Sequence, residues 1–159
     1  MFKSHEKFYS EDGKRTLLIA EDEAINRELL GMILEDDFQI IYAENGAAAL
    51  SRIESYRENI SLVLLDLVMP VMSGQEVLRR LKNDPLTKAI PVIVLTADSS
   101  AEVESLSLGA IDYIPKPYPQ AEVIKARIQR AIELSEDRDI IAYTERDHLT
   151  GLYNIEYFY

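Results

Sequence analysis

The chain contains no cysteine among its 159 residues, which excludes disulfides, thiolate nucleophiles and thiolate metal sites. No apolar run approaches the ~20 residues that a bilayer-spanning helix needs, so a membrane is not an expected partner. The polar N-terminal segment 1–15 also lacks the apolar centre of a secretion signal, and the expected location is the cytoplasm. Basic residues are scarce, 17 against 28 acids, for a formal charge of −11. Such a balance disfavours phosphate backbones and anionic lipid, so nucleic acid is not an expected partner, whereas cationic partners fit. Internal repeats and low-complexity tracts are absent too.

What the chain does have is a 47% apolar content, enough for a sizeable core, and a length suited to one domain with some extra. Short apolar runs alternate with helical patterns, the signature of βαβ units around a parallel sheet. Strands are expected at 16–20, 39–43, 62–66, 91–96 and 111–114. Helical spacing is carried by Ile25, Leu29, Met32 and Ile33, by Ala47, Leu50 and Ile53, by Val77, Leu78 and Leu81, and by Val103 and Leu106. Turn residues punctuate the pattern at Asn45-Gly46, Asn83-Asp84-Pro85 and Gly109. The expected fold is therefore α/β, a doubly wound five-stranded parallel sheet with five helices. From Glu122 to Glu145 the chain has neither glycine nor proline, and Glu133–Asp139 is dense in charge. That stretch reads as a C-terminal helix that packs Ile124, Ile128, Ala131 and Ile132 on the sheet and then leaves the domain. With Ser135 and Arg138 or Asp139 at seam positions, any coiled coil it forms should be weak.

Four of the expected strands end in residues that suit one polar site. Asp66 closes Leu62-Val63-Leu64-Leu65, Glu21-Asp22-Glu23 follows Leu17-Leu18-Ile19-Ala20, Thr96 follows Val92-Ile93-Val94-Leu95, and Lys116 follows Asp112-Tyr113-Ile114-Pro115. The carboxyl ends of strands are where α/β sheets place their chemistry. Glu21, Asp22 and Asp66 together would crowd three carboxylates. Two unit charges about 4 Å apart repel by roughly 4 kcal/mol at an effective dielectric near 20, so the cluster calls for a cation or a raised pKa. Hard oxygen donors around a small open site favour Mg²⁺. The plainer alternative is that Glu21-Asp22-Glu23 opens the next helix at its positive end. Lys116 precedes Pro117, at a peptide bond able to adopt cis, and aimed inward it would pair with Asp66 and then with a phosphoryl oxygen. A solvated loop lysine is the alternative. Thr96 offers a hydroxyl to an anion, and Ala97 leaves space and an accessible backbone N–H; helix capping is the competing role for Thr96. Tyr113 alone could be an ordinary edge-strand aromatic.

Taken together, these segments resemble the receiver domain of two-component response regulators over about Thr16 to Glu136. The resemblance is carried by Leu-Leu-Ile-Ala-Glu-Asp-Glu at 17–23, Leu-Leu-Asp-Leu-Val-Met-Pro-Val-Met-Ser-Gly at 64–74, Leu-Thr-Ala at 95–97 and Gly-Ala-Ile-Asp-Tyr-Ile-Pro-Lys-Pro at 109–117. It implies a flavodoxin-like (βα)5 fold in which Asp66 is the phosphoacceptor for a sensor histidine kinase, a phosphotransfer protein or a small donor such as acetyl phosphate. It further implies that Glu21, Asp22, Asp66 and the backbone carbonyl of Val68 hold Mg²⁺, and that Thr96, Ala97 and Lys116 bind the phosphoryl oxygens. Thr96 and Tyr113 would form the switch pair. Glu21 departs from the aspartate more common at its position, leaving open whether it meets the metal directly or through water.

The tail Arg146-Asp147-His148-Leu149-Thr150-Gly151-Leu152-Tyr153-Asn154, then Tyr157-Phe158, resembles the opening of a GGDEF domain, the diguanylate cyclase module, with Ile155 where that family usually has arginine. The implied organisation is a polar segment 1–15, a receiver domain 16–136, a helical linker 137–146 and the start of a truncated GGDEF-like output domain at 147–159. The expected function is a receiver that switches an output domain in cis, through a homodimer or a reoriented helix, without being an enzyme itself. Two other readings compete. One is a phosphorylation-independent interaction or dimerisation module. The other is a metal-dependent phosphohydrolase, disfavoured because Val68 stands where a second aspartate would serve as general acid.

Overall fold

The computed structural model describes residues 13–151, with side chains described over 13–137. Segment 1–12 and residues 152–159, among them Ile155 and the end of the GGDEF-like motif, lie outside the described residues. Five strands, β1 (Arg15–Ala20), β2 (Phe38–Ala43), β3 (Ile60–Asp66), β4 (Val92–Thr96) and β5 (Asp112–Pro115), alternate with five helices. These are α1 (Ala24–Leu34), α2 (Gly46–Tyr56), α3 (Gly74–Asn83), α4 (Ser99–Ser107) and α5 (Ala121–Gly151). All strands pair in parallel in the order β2-β1-β3-β4-β5, the flavodoxin-like (βα)5 fold. The order reverses between β1 and β3, so the helices that follow these two strands cover opposite faces and a crevice opens at their carboxyl ends.

Because side chains alternate along a strand, the apolar runs feed two cores at once. Leu18 and Ala20, Val63 and Leu65, and Val92 and Val94 face the α2–α3 side, where Ala49, Ile53, Val77, Leu78 and Leu81 meet them. Leu17 and Ile19, Leu62 and Leu64, and Ile93 and Leu95 face α1 and α5, packing on Leu30, Leu34, Ile124, Ile128, Ala131 and Ile132. The helix faces differ in part from expectation. On α1 the buried residues are Leu30, Gly31 and Leu34, whereas Ile25 and Met32 are 79% and 72% exposed. The 24–34 segment carries two overlapping apolar stripes, and the one that wins contains Gly31, whose bare Cα leaves room for the Tyr42 hydroxyl. On α2, Ala47 faces solvent while Ala49 and Ile53 are buried.

Helix α4 is held most loosely. Val103 and Leu106 are exposed, and its buried position is Ser105, with Ala101 and Leu108 partly covered on the same side. Ser105 Oγ is the only buried side-chain polar atom without a hydrogen-bond partner among the described residues. An unsatisfied buried hydroxyl is costly and alanine is the better helix former, so Ser105→Ala should stabilise the protein by about 1 kcal/mol. Urea unfolding of the two proteins reads this directly; an equal or lower midpoint would show that the hydroxyl has found a partner.

Helix α5 runs continuously through the expected linker to Gly151. At residues 135–136 it is still tied to the domain. Arg15 donates from Nε and Nη2 to both Glu136 oxygens at 2.8 Å, and Ser135 Oγ donates to the Ala89 carbonyl. Ser135, one of the residues that spoil a coiled-coil pattern there, thus serves a contact within the domain.

Candidate functional site

The register of the sheet brings the expected residues to one level. Ala20 pairs with Leu65, Asp66 with Leu95 and Thr96 with Pro115, so Glu21, Asp66, the end of β4 and Lys116 surround a single crevice. Asp66, the last residue of β3, is 4% exposed, and Glu21 is fully buried. Asp22 lies on the solvent side. One carboxylate oxygen from each of the three lies within 4.8 Å of the others. The chain then turns sharply. Gly74 N–H donates to the Leu67 carbonyl, and Ser73 caps α3 through the Glu76 N–H.

Lys116 Nζ donates to Glu21 Oε1 and to Asp66 Oδ2, both at 3.1 Å. The expected Lys116–Asp66 pair is therefore present and extends to a second acid. The Lys116–Pro117 bond is cis. Asp66 Oδ1 accepts from the Val68 N–H at 3.2 Å, and Glu21 Oε2 from the Glu23 N–H at 3.2 Å. Burial opposes charge on Lys116, but the two carboxylates outweigh it and push its pKa up. The acids diverge. Burial, together with the hydrogen bond and negative charge of Glu21, raises the Asp66 pKa to about 7 against Lys116 and the Val68 N–H. Burial also works against a charged Glu21, yet its bonds with Asp66, the Glu23 N–H and Lys116 hold it below the usual range. Of the two acids, Glu21 is thus the one that favours its carboxylate form and Asp66 the one that favours its proton.

Thr96 is buried with its hydroxyl turned into its own loop, donating to the Asp98 carbonyl and accepting from the Asp98 N–H. The capping role weighed for Thr96 belongs instead to Asp98, which accepts from the Ser100 N–H. Ala97 is exposed beside it. Tyr113 is half-buried on β5 with the Arg127 guanidinium 5.5 Å from its ring centre, and Arg127 also donates to its carbonyl. Val68 is 81% exposed next to Asp66, so the position two after Asp66 supplies no acid.

Two residues of the site were not anticipated. Arg27 of α1 donates to the carbonyls of Glu21 and Asp22 at 2.8 and 3.0 Å, anchoring the loop that carries both acids. Tyr118 donates its hydroxyl to Glu21 Oε1 at 3.3 Å. Burial and the facing acids push the Tyr118 pKa far up, so this hydroxyl is a neutral donor. The signal in the sequence was slight: an arginine six residues after Glu21, and a tyrosine two after Lys116.

Three acid oxygens at this spacing form a donor set that suits a hard divalent cation, Mg²⁺ above all. An acid cluster, a lysine and a buried acceptor at a switch point suit phosphoryl transfer, which asks for positioning and charge neutralisation more than covalent help. The sequence matches the response regulator receiver domain family over residues 17–129. The chain belongs to that family. It is thus a receiver domain of two-component signalling, the class that histidine kinases phosphorylate.

Among its relatives is a Vibrio cholerae protein named for cyclic di-GMP phosphodiesterase activity, 38% identical over 136 residues that cover 84% of this chain and 30% of that protein. The phosphate regulon transcriptional regulatory protein PhoB of Pseudomonas aeruginosa is 39% identical over 121 residues, covering 74% of this chain and 52% of that one. The receiver domain of sensor histidine kinase PA1611 from Pseudomonas aeruginosa PAO1, solved with a magnesium ion in its active-site cleft, superposes with a TM-score of 0.70. At 24% identity, over 76% of this chain and 99% of that one, it bears on the fold. The chain spans about half or less of the length of the curated relatives described. No helix among the described residues is long and apolar enough to cross a membrane.

Proposed function

We propose that the receiver accepts a phosphoryl group on Asp66 and uses it to switch an attached output domain. The observation that carries this reading is the pairing of a buried acceptor carboxylate with Lys116 at 3.1 Å, inside an acid cluster of metal-binding spacing. In the step itself, an oxygen of ionised Asp66 attacks the phosphorus of a phosphohistidine, the P–N bond breaks, and the imidazole leaves with its electron pair. Glu21, Asp22, Asp66 and the Val68 carbonyl hold Mg²⁺, which neutralises charge gathering on the phosphoryl oxygens. Lys116 lets go of Asp66 and binds one phosphoryl oxygen. The Thr96 hydroxyl leaves the Asp98 loop for another, and the Ala97 N–H serves a third.

The switch follows from the same local charge. Drawing Thr96 out of its turn frees space at the start of α4, the helix with the thinnest apolar anchorage, and Tyr113 turns inward beneath it. The changed surface alters pairing with a second copy or the direction of α5. The output is taken to be a GGDEF-type cyclase, on the strength of the motif that begins at Arg146. Support for a cyclic di-GMP output comes from the Vibrio cholerae relative, and the PhoB relative marks transcription as the competing output.

Intact mass after incubation with Mg²⁺ and acetyl phosphate, with elution volume recorded on the same samples, tests the reading. One phosphoryl group on the wild type and none on Asp66→Asn is the expected result. An unlabelled wild type, with phosphoramidate as donor too, would leave a phosphorylation-independent interaction module as the better account.

A further inference from the structure

We propose that Tyr118 is the positioning residue for Glu21, and that its hydroxyl and the long carboxylate form a matched pair that sets the metal affinity of the site. The inference rests on the reading of Glu21 as a metal ligand. Glu21 has one more rotatable bond than the aspartate that the site would otherwise use, so it needs more tethering to stay beside Asp22 and Asp66. Its Oε2 is held by the Glu23 N–H, while Oε1 receives both Lys116 Nζ at 3.1 Å and Tyr118 Oη at 3.3 Å. The two donors on Oε1 are not equivalent. The Lys116 ammonium is divided between Glu21 and Asp66, and in the proposed function it moves to a phosphoryl oxygen. Tyr118 is the side-chain donor that stays. Its ring packs against the core formed with α1 and α5, so packing rather than solvent sets where the hydroxyl sits. As a neutral group it fixes the carboxylate without adding charge that would repel a cation.

The test compares wild type, Tyr118→Phe, Glu21→Asp and the double variant as full chains, titrated with MgCl₂ in a calorimeter, with a thermal melt of each to establish folding. Phenylalanine keeps the packed ring and removes only the donor. Glu21→Asp retracts the carboxylate by one C–C bond, roughly 1.5 Å, out of reach of an oxygen already 3.3 Å away. Loss of a restraint on a flexible ligand should weaken Mg²⁺ binding about three- to tenfold for Tyr118→Phe in the presence of Glu21. In the Glu21→Asp background the same change should stay within about twofold, because the two side chains no longer touch. A wild type that binds Mg²⁺ with a Tyr118→Phe variant of equal affinity would overturn the inference, as would equal losses in both backgrounds. A wild type with no Mg²⁺ binding would sink the metal-site reading along with it.

Discussion

Asp66→Asn should make the metal-free protein more stable at pH 8, by a margin that Mg²⁺ closes. The reason lies in the proton shared between the two buried acids. Asp66 has a folded-state pKa of about 7 against an ordinary 3.8, chiefly through burial and then through Glu21. A carboxyl shifted upward gives a contribution that is fully present below pH ~3.8 and is lost as pH rises through ~7. Glu21 is shifted the other way, so its contribution is present above its ordinary 4.5 and is lost as pH falls below that value. Near pH 5 the pair consists of one acid and one carboxylate, an arrangement that Lys116 can satisfy. Above pH 7 both carry charge in a crevice where a single ammonium serves them.

Asparagine supplies a neutral partner at every pH and keeps an oxygen for the Val68 N–H. At 1.36 kcal/mol per pKa unit, the rise at Asp66 corresponds to about 4 kcal/mol. The opposite shift at Glu21 and the lost Lys116 pair reduce the expected gain to about 2 kcal/mol at pH 8, falling toward zero at pH 5. Mg²⁺ at a hundred times its Kd stabilises the wild type by about 2.7 kcal/mol. The variant, with one anionic ligand fewer, should gain about 1 kcal/mol or less. Urea unfolding at pH 5 and 8, with chelator and with Mg²⁺, reads all four corners. A difference independent of pH would mean that Asp66 and Glu21 do not share a proton.

Gly74→Ala should cost about 3 kcal/mol and slow labelling of Asp66, although Gly74 bears no functional group. A Cβ there would lie 2.2 Å from the Asp66 carbonyl oxygen, 2.6 Å from Leu67 Cα and 2.9 Å from the Asp66 carbonyl carbon. All three are backbone atoms, which no rotamer change can move aside. The α3 N-terminus or the end of β3 has to shift instead, straining the bond from Gly74 N–H to Leu67 and the placement of the acceptor. Overpacking against such neighbours sits at the upper end of its usual 1–3 kcal/mol. At about 2–4 °C per kcal/mol for a domain of this size, the melting temperature should fall by about 6–12 °C. An unchanged melt would show that the β3–α3 turn is softer than its contacts indicate.

The site was legible to the extent that chemistry follows strand ends. Glu21-Asp22, Asp66 and Thr96 follow apolar runs and Lys116 follows the fifth strand, and a parallel sheet whose strands share one register has to gather such residues at one edge. The three central strands were readable because β1, β3 and β4 are buried on both faces and are therefore almost continuously apolar, whereas the edge strands β2 and β5 are only partly buried and carry Gln39 and Asp112. Which stripe of an amphipathic segment faces inward was not readable where two stripes competed. On α1 the choice fell to Leu30 and Leu34 because Gly31 admits Tyr42, a residue of another strand. On α4 it fell to Ser105, leaving Val103 and Leu106 outside. Tyr118 was missed because its partner Glu21 lies 97 residues away, and only the closed sheet brings them to 3.3 Å. Composition and local pattern, which act along the chain, determined the fold class and the reactive groups. Tertiary packing alone decided how the acids share one proton, because desolvation and facing charges exist only once β1, β3 and the loop after β5 have come together.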